Sequence, residues 1–248
     1  MTGLAGRRVL ITGGGSGAGA DLARGFAEAG AEVVIAGRRA AALEAVAARL
    51  GGGVRPVVAD VTDEASVRAM FAAAGPCDVI IANAGQATSA PFRRTATEDW
   101  NRMIAVNLTG VFLTFREALD RIPGWGRLIA IASTASLRGY PKIAPYAAAK
   151  HGVLGLVRSL ALEVASGPVT VNAICPGYLE TPMTERTVAV IAEKTGRTPA
   201  AARAALEALS PQKRLYRPAE VTAVALFLCG PQSDGINGAA IPISGGEA

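Results

Sequence analysis

Residues 7–19 read RRVLITGGGSGAG, a short apolar run that ends in a cluster of glycines. The run suits a buried strand, and the residues that follow, to about 29, have the spacing of a helix. Because glycine lacks a Cβ, glycines at such a junction let the backbone turn tightly and let an anionic group approach the first turn of the helix. The stretch therefore predicts a strand–turn–helix unit that begins an α/β domain and binds a phosphorylated ligand.

Short aliphatic runs alternate with helical patterns along the rest of the chain. The further runs lie at 31–37, 54–60, 78–85, 126–133, 169–177 and 238–244. Helical patterns follow or precede them near 40–50, 63–74, 97–121, 145–166 and 218–229, with an insert at 182–214. Continuous apolar strands that alternate with helices are typical of a parallel sheet covered on both faces. We predict one domain over residues 1–248, a doubly wound sheet of about seven strands with helices on both faces.

Composition argues against several classes of protein, among them nucleic-acid-binding, metal-binding, secreted and membrane proteins. The 248 residues are half apolar and carry a net charge of +5, but the arginines are scattered, which argues against a nucleic-acid surface. The three cysteines, Cys77, Cys175 and Cys229, have neither metal-ligand nor disulfide spacing. The first ten residues lack the long apolar segment of a signal peptide, and no stretch is long enough to cross a membrane. We expect a reduced cytoplasmic protein without a metal.

The glycine cluster fits a dinucleotide pyrophosphate. Gly13, Gly17 and Gly19 are spaced G-x-x-x-G-x-G at the first strand–helix turn, where such a loop presents a helix N-terminus to phosphate. We expect Gly15 and Ser16, between them, to border the cofactor as well. Glycines also serve plain turns, so the position of the cluster after the first strand carries this interpretation.

The end of the second strand indicates which dinucleotide is bound. A free ribose 2′-hydroxyl usually meets a carboxylate about 20 residues after the loop, but here Arg38 and Arg39 follow Gly37. Guanidinium groups bind a 2′-phosphate, which predicts a preference for NADP(H) and leaves NAD(H) open. The alternative is a solvated turn with two arginines. Asp60, beside Val61, is placed to accept from the adenine amino group or to begin the next helix.

Tyr146 and Lys150 lie four residues apart in APYAAAKHGV (144–153), which stacks them on one face of a helix. One interpretation is a surface tyrosine covered by a lysine stem. The other is a cation placed to make the phenol a better acid. The pair alone does not decide between them.

Six motifs occur in one order: TGGGSGAG (12–19), NAG (83–85), Asn107 in VNLTG, Ser133, YAAAK (146–150) and PGYLET (176–181). In this order they resemble the short-chain dehydrogenase/reductase family over essentially the whole chain. Within that family the chain is most similar to 3-oxoacyl-thioester reductases and polyketide ketoreductases. The resemblance implies a Rossmann-like fold and an NAD(P)(H)-dependent oxidoreductase that reduces a ketone or oxidises a secondary alcohol. The sequence departs from the family where Ala82 replaces a common asparagine, and where PIS precedes the last glycines.

The resemblance also implies site residues. It implies a catalytic tetrad of Asn107, Ser133, Tyr146 and Lys150. It implies cofactor contacts from Asn83, Ala84, Gly85, Tyr146, Lys150, Pro176, Gly177, Leu179 and Thr181. Lowering a tyrosine pKa from about 10 to about 7 needs about 4 kcal/mol, which a unit cation about 4 Å away supplies at an effective dielectric near 20. We therefore expect Lys150 to tune Tyr146, Ser133 to stabilise the alkoxide, and Asn107 to serve a water-mediated proton path. Ser133 as a turn cap, Asn107 bonded to its own backbone and His151 as a surface neighbour are the structural alternatives.

Two further segments carry expectations. The insert 182–214, with Val188, Ile191, Leu206 and Leu209, is expected to cover a small-molecule ketone or alcohol substrate as a lid. Helix 145–166 is apolar nearly all round, which predicts a homotetramer or homodimer contact or, alternatively, burial under the insert. Alternative functions are a non-catalytic dinucleotide-binding redox sensor, a dehydrogenase of another small alcohol, a sugar-nucleotide epimerase and a nucleic-acid binder.

Overall fold

The computed structural model describes residues 3–248, and its centre is a parallel sheet. The strands within that range are β1 Arg8–Thr12, β2 Glu32–Gly37, β3 Val54–Val58, β4 Val79–Ala82, β5 Gly126–Ile131, β6 Val169–Pro176 and β7 Ala240–Ile243. They form one seven-stranded sheet in the order β3-β2-β1-β4-β5-β6-β7, and every neighbouring pair is parallel. The predicted doubly wound sheet is confirmed. Its order reverses between β1 and β4, and the crevice outside such a reversal is where ligands bind.

Helices cover both faces of the sheet. They are α1 Gly17–Glu28, α2 Ala40–Leu50, α3 Glu64–Ala74, α4 Thr97–Ile104, α5 Gly110–Leu119, α6 Ala144–Glu163, α7 Pro182–Thr195, α8 Pro199–Glu207 and α9 Pro218–Leu228. Successive strand residues point to opposite faces, so β1 divides its apolar side chains between two cores. Leu10 packs in the core that includes Phe115 and Val157, and Ile11 packs in the core that includes Phe26 and Val221. The sheet therefore has a packed core on each of its faces.

The pattern at 97–121 predicts a helix, and the chain is helical from Thr97 to Leu119, but not as a regular α-helix throughout. A π-helical turn at Ala105–Thr109 separates α4 from α5. A π turn widens the backbone ring, and such turns occur frequently at functional sites. Asn107 lies within it and is fully buried.

The insert predicted at 182–214 contains two helices with a small core of their own. Val188, Ala202, Leu206 and Leu215 are buried together, and Ile191 packs against them. Val188 and Leu206 therefore face the interior of the insert. Leu209, which is 50% exposed, is the member of the predicted lid set that faces solvent.

Within residues 3–248 no helix combines the length and the apolar character needed to cross a bilayer. The longest, α6, has 20 residues but includes Lys150, Arg158 and Glu163.

Candidate active site

The glycine loop between β1 and α1 packs closely against the end of β4. Gly13 has φ of +69°, and a Cβ there would lie 2.8 Å from the Ala84 Cα. A Cβ on Gly19 would lie 2.3 Å from the Gly13 carbonyl oxygen. Neither contact leaves room for a side chain, so both positions require glycine. The predicted tight turn is present at the edge of the sheet.

The N-terminus of α1 faces the same edge without a side-chain cap. Ser16 is the N-cap residue, and its exposed hydroxyl makes no hydrogen bond to the first turn. Uncapped first-turn N–H groups and the helix dipole both favour an anion. Gly15 lies against α2, where a Cβ would be 3.3 Å from the Ala42 side chain. The loop therefore fits the pyrophosphate of a dinucleotide, with Ser16 and Gly17 at its open side.

Asn83 holds the β4 end in place through its side chain. Asn83 Nδ2 donates to the Thr12 carbonyl at 2.9 Å, and Thr12 Oγ1 accepts from the backbone N–H groups of Asn83 and Ala84, both at 3.1 Å. The side chain is thus engaged with β1, and the backbone of residues 83–85 borders the crevice. A Cβ on Gly85 would lie 3.0 Å from Asn107 Oδ1.

The predicted ribose corner brings Arg38 close to Asp60. The Arg38 side chain is 65% exposed, and its Nη1 lies 4.0 Å from Asp60 Oδ2. Asp60 Oδ1 accepts from the amide and hydroxyl of Thr62 at 2.9 and 2.8 Å. Burial acts to raise the pKa of Asp60, but the Thr62 bonds and the Arg38 charge outweigh it and leave that pKa below its ordinary value. Asp60 is therefore an ionised turn residue before α3, and Arg38 remains accessible to a phosphate.

The other two predicted residues of this corner differ in exposure. Arg39 is the exposed N-cap residue of α2 and makes no side-chain cap bond. Val61 is buried, and its Cγ2 would lie 2.8 Å from a Cβ on Gly110. Val61 thus packs against Gly110 at the start of α5.

Ser133 and Tyr146 meet at the carboxyl end of β5. Burial raises the pKa of the Tyr146 phenol, and the neighbouring Ser133 hydroxyl acts in the opposite direction. Ser133 Oγ also accepts from the Ala135 amide at 3.1 Å. The serine therefore caps the turn after β5 and contacts the phenol as well, so both interpretations of this residue hold.

Lys150 lies one helical turn from Tyr146 and is buried. Its Nζ donates to the Ile131 carbonyl at 2.8 Å and lies 5.7 Å from the centre of the Tyr146 ring. Burial lowers the pKa of Lys150 to about 8, and the nearby Cys175 thiol acts weakly against this. The interpretation of Lys150 as an exposed stem over a surface tyrosine is wrong, because Lys150 is 4% exposed and Tyr146 is half-buried.

The sequence predicted a depressed pKa for Tyr146, and the protein's own groups produce the opposite. Burial dominates, so the phenol is protonated at neutral pH. A protonated phenol that contacts a serine hydroxyl is a proton donor. Lys150 is held by a strand carbonyl rather than by the phenol.

Asn107 is satisfied entirely by backbone groups. Its Nδ2 donates to the carbonyls of Met103 and Gln86, both at 3.0 Å, and its Oδ1 accepts from the Gln86 amide at 3.2 Å. These bonds hold the segment after β4 against the π turn. The local-backbone alternative is present, and Asn107 also lies next to Lys150, since both side chains border Gly85.

Residues 176–181, called the PGYLET loop below, continue from β6 to α7. Pro176 ends β6, and the Gly177 amide donates to the Ile243 carbonyl at 3.0 Å. Leu179 is bridged to Tyr216. Thr181 is the N-cap residue of α7, and a Cβ on Gly17 would lie 3.2 Å from its side chain. The loop therefore spans the crevice as far as the glycine loop.

Sequence analysis overlooked two tyrosines near the site. Tyr178 is in the PGYLET loop, and its negative charge when ionised is one cause of the raised pKa of Tyr146. The Tyr140 hydroxyl lies near Thr134, the residue after Ser133. The signal was available for Tyr178, which directly follows the end of a strand at the ligand-binding edge. His151 is exposed, and its Nδ1 lies 2.9 Å from the Ala147 carbonyl, as expected for a surface neighbour.

Known proteins match this chain along nearly its full length. A family model described as enoyl-(acyl carrier protein) reductase matches residues 13–247. A D-beta-hydroxybutyrate dehydrogenase of Rhizobium meliloti is 36% identical and aligns over 97% of this chain and 98% of its own. A 3-oxoacyl-[acyl-carrier-protein] reductase, MabA, of Mycobacterium bovis is 35% identical over 97% of this chain and 92% of its own.

A solved structure agrees with the fold. A variant of the actinorhodin polyketide ketoreductase with NADPH is 33% identical, covers 97% of both chains and superposes with a TM-score of 0.90. Both relatives exceed 30% identity over nearly the whole of this chain and of their own. The chain belongs to the short-chain dehydrogenase/reductase family, oxidoreductases that interconvert ketones and secondary alcohols.

Proposed function

We propose that this oxidoreductase prefers NADP(H) and reduces a moderately apolar ketone, with Tyr146 as the proton donor. The observation that carries the proposal is the meeting of three groups at the carboxyl edge of the sheet. The protonated Tyr146 phenol contacts Ser133, and the buried Lys150 amine lies within one helical turn. The glycine loop and the uncapped α1 N-terminus lie at the same edge.

The reaction needs a hydride at the carbonyl carbon and a proton at its oxygen. A nicotinamide cofactor supplies the hydride when bound. The Ser133 hydroxyl donates to the developing alkoxide and orients it toward the Tyr146 phenol, which gives up its proton. The Leu179 backbone and the Thr181 hydroxyl are proposed to hold the carboxamide, since the PGYLET loop ends beside the glycine loop.

Lys150 and Asn107 are proposed to support proton transfer from the Tyr146 phenol without contacting the ketone. The Lys150 ammonium stabilises the phenolate that remains after proton transfer, and its other hydrogens bind the ribose hydroxyls. Asn107 bonds the Gln86 backbone and so stabilises the π turn. We propose that these polar groups, near Lys150, take part in a water-mediated proton path to its amine. A buried ammonium is worth more to a transient phenolate than an exposed one, because water screens it less.

The substrate class is proposed from the relatives and the insert. The names of both relatives refer to an acyl compound that carries its hydroxyl or oxo group on carbon 3, the β carbon. A 3-oxoacyl thioester or a similar apolar ketone fits, and another small secondary alcohol is the alternative. The insert, with its exposed Leu209, is proposed as the lid. The exposed face of the insert is rich in charged side chains. We therefore expect the lid to cover the acyl chain with its other, less charged side.

Absorbance at the nicotinamide wavelength tests the function directly. We expect purified protein to oxidise NADPH with a 3-oxoacyl thioester, and more slowly with acetoacetate or a cyclic diketone. The reverse reaction is followed with 3-hydroxybutyrate and NADP⁺. Cofactor binding without turnover across this panel would contradict the proposal and favour the redox-sensor alternative.

Replacing Arg38 with aspartate tests the cofactor preference. We expect the ratio of kcat/KM for NADPH to that for NADH to fall by about thirtyfold, because a guanidinium that can bind a 2′-phosphate becomes a carboxylate that repels it. Arg49→Asp, an equal charge change at the end of α2, is the control. A ratio that Arg38→Asp leaves unchanged would remove Arg38 from the site.

The pH profile tests the state of Lys150. With the pKa of this amine lowered to about 8 by burial, its ammonium is present below pH 8 and lost above it. Tyr146, with a raised pKa, stays protonated over this range. We expect kcat/KM for ketone reduction to be flat from pH 6 to 7.5 and to fall above about pH 8, approaching tenfold per pH unit. A flat profile to pH 9.5 would contradict the assignment.

Assembly and location are proposed from the surface and the cysteines. Leu162 on α6 is 80% exposed and Phe112 on α5 is 40% exposed, which supports a homodimer or homotetramer contact along these helices. All three cysteines are free and buried. Unpaired thiols support a reducing compartment such as the cytoplasm.

A further inference from the structure

The last five residues form a tight turn beside the site. Gly246 has φ of +91°, which glycine adopts without strain. The Glu247 amide donates to the Ser244 carbonyl at 3.2 Å, and the Ala248 amide donates to Ser244 Oγ at 3.3 Å. These bonds fix the direction in which the Glu247 side chain leaves the backbone.

Glu247 bonds the loop that joins Ser133 to Tyr146. Tyr140 Oη donates to Glu247 Oε1 at 2.5 Å, and Arg138 Nη1 donates to the Glu247 carbonyl at 3.0 Å. Burial, and then the bond to Glu247, raises the pKa of Tyr140 to about 12, so the phenol is a donor at every ordinary assay pH. One residue thus holds two points of the same loop.

The other side of the tail lies against the PGYLET loop and the end of the insert. A Cβ on Gly177 would lie 3.4 Å from Glu247 Oε2. A Cβ on Gly245 would lie 2.7 Å from Tyr216 Oη. The Tyr216 amide donates in turn to the Tyr178 carbonyl at 2.8 Å. The tail therefore contacts both segments that flank the nicotinamide end of the crevice.

We propose that Glu247 is a positioning residue, which holds the 134–143 loop against the PGYLET loop and so shapes the space where the ketone binds. The inference rests on the proposed ketone reduction. Tyr140 transmits the effect, because it donates to Glu247 and its hydroxyl also lies near Thr134, the residue next to Ser133. Arg138 adds a second attachment of the same loop.

Two substitutions separate this role from a role of the negative charge. Glu247→Ala removes the acceptor of the Tyr140 hydrogen bond, and we expect KM for the ketone to rise about tenfold while kcat changes less than threefold. Glu247→Gln keeps an acceptor oxygen, and we expect it to recover most of the loss. KM for NADPH is expected to stay within twofold, because the tail contacts the substrate side. Glu163→Ala, at the exposed end of α6 and about 25 Å along that helix from Tyr146, is the control.

Hydrogen exchange gives a second readout that does not depend on turnover. We expect amides of residues 134–143 to exchange faster in Glu247→Ala than in wild type, and near the wild-type rate in Glu247→Gln. An unchanged ketone KM with unchanged loop exchange in Glu247→Ala would overturn the inference, as would a glutamine variant that behaves like alanine in both. If the wild-type protein turned over no ketone at all, the proposed function would fail instead, and loop exchange would still decide the role of Glu247.

Discussion

Replacing Tyr146 with phenylalanine is expected to lower kcat/KM for ketone reduction by about a thousandfold. The substitution removes one hydroxyl, the proton donor, and leaves the ring in its place on α6. A positioned general acid contributes about 10²–10⁴ in rate, and Tyr146 is the phenol that contacts Ser133. We expect the loss in kcat, since the missing group acts in the transition state.

Measurements of NADPH binding and of thermal stability show whether Tyr146→Phe loses activity through the missing proton donor or through a disturbed structure. NADPH affinity, measured by fluorescence titration, is expected to change less than threefold, because the loop and the α1 N-terminus remain. The midpoint of thermal unfolding is expected to stay the same or rise, since the burial that raises the Tyr146 pKa shows that this hydroxyl is already poorly solvated. A Tyr146→Phe variant that retains a tenth of wild-type turnover would mean that another group delivers the proton.

Replacing Lys150 with methionine is expected to lower kcat/KM by about a hundredfold without destabilising the fold. The side chain is nearly isosteric but carries no charge, so the phenolate left by proton transfer loses its cation. A lysine pKa that burial lowers from 10.5 to about 8 corresponds to about 3 kcal/mol that opposes the folded ammonium at neutral pH. Methionine removes this cost but leaves the Ile131 carbonyl without its donor.

The pH dependence of the unfolding free energy tests the effect of Lys150 on stability. Because the folded pKa of Lys150 is below the unfolded one, the wild-type protein gains stability from this residue as pH rises from about 8 to 10.5. We expect Lys150→Met to lack this gain, so its unfolding free energy relative to wild type is highest at neutral pH. Lys194→Met, at an exposed position of α7, is the control for both rate and stability. A methionine variant that unfolds several degrees below wild type at pH 7 would show that the ammonium is structural.

The sheet could be predicted from sequence because its strands are continuous apolar runs, such as VLIT at 9–12, followed by glycine. Those runs are set by burial on both faces, which a single sequence records directly. The π turn within helix 97–121 could not be predicted, because Asn107 stabilises it through Met103 and Gln86, and the latter lies 21 positions away. Side-chain bonds across such distances leave no periodic signal.

The sequence predicted which side chains lie together in the site, but not the direction in which the pKa of Tyr146 is shifted. Spacing placed Tyr146 and Lys150 on one face, but the direction of each pKa shift depends on burial by β5, β6 and the PGYLET loop. The sequence interpretation weighed one charge pair and omitted desolvation, which is the larger effect on both groups. Glu247 was missed for a different reason: its partner Tyr140 lies 107 positions away, and a side-chain bond over that separation leaves no sequence pattern.

A crystal structure with NADP⁺ and a bound secondary alcohol tests the central claim most directly, namely that Tyr146 exchanges the substrate proton with Ser133 beside it. We predict that the alcohol oxygen lies within hydrogen-bond distance, about 2.6–3.2 Å, of both Tyr146 Oη and Ser133 Oγ, with Lys150 Nζ behind the phenol. An alcohol oxygen bound by other groups, with the Tyr146 hydroxyl turned away from it, would contradict the account.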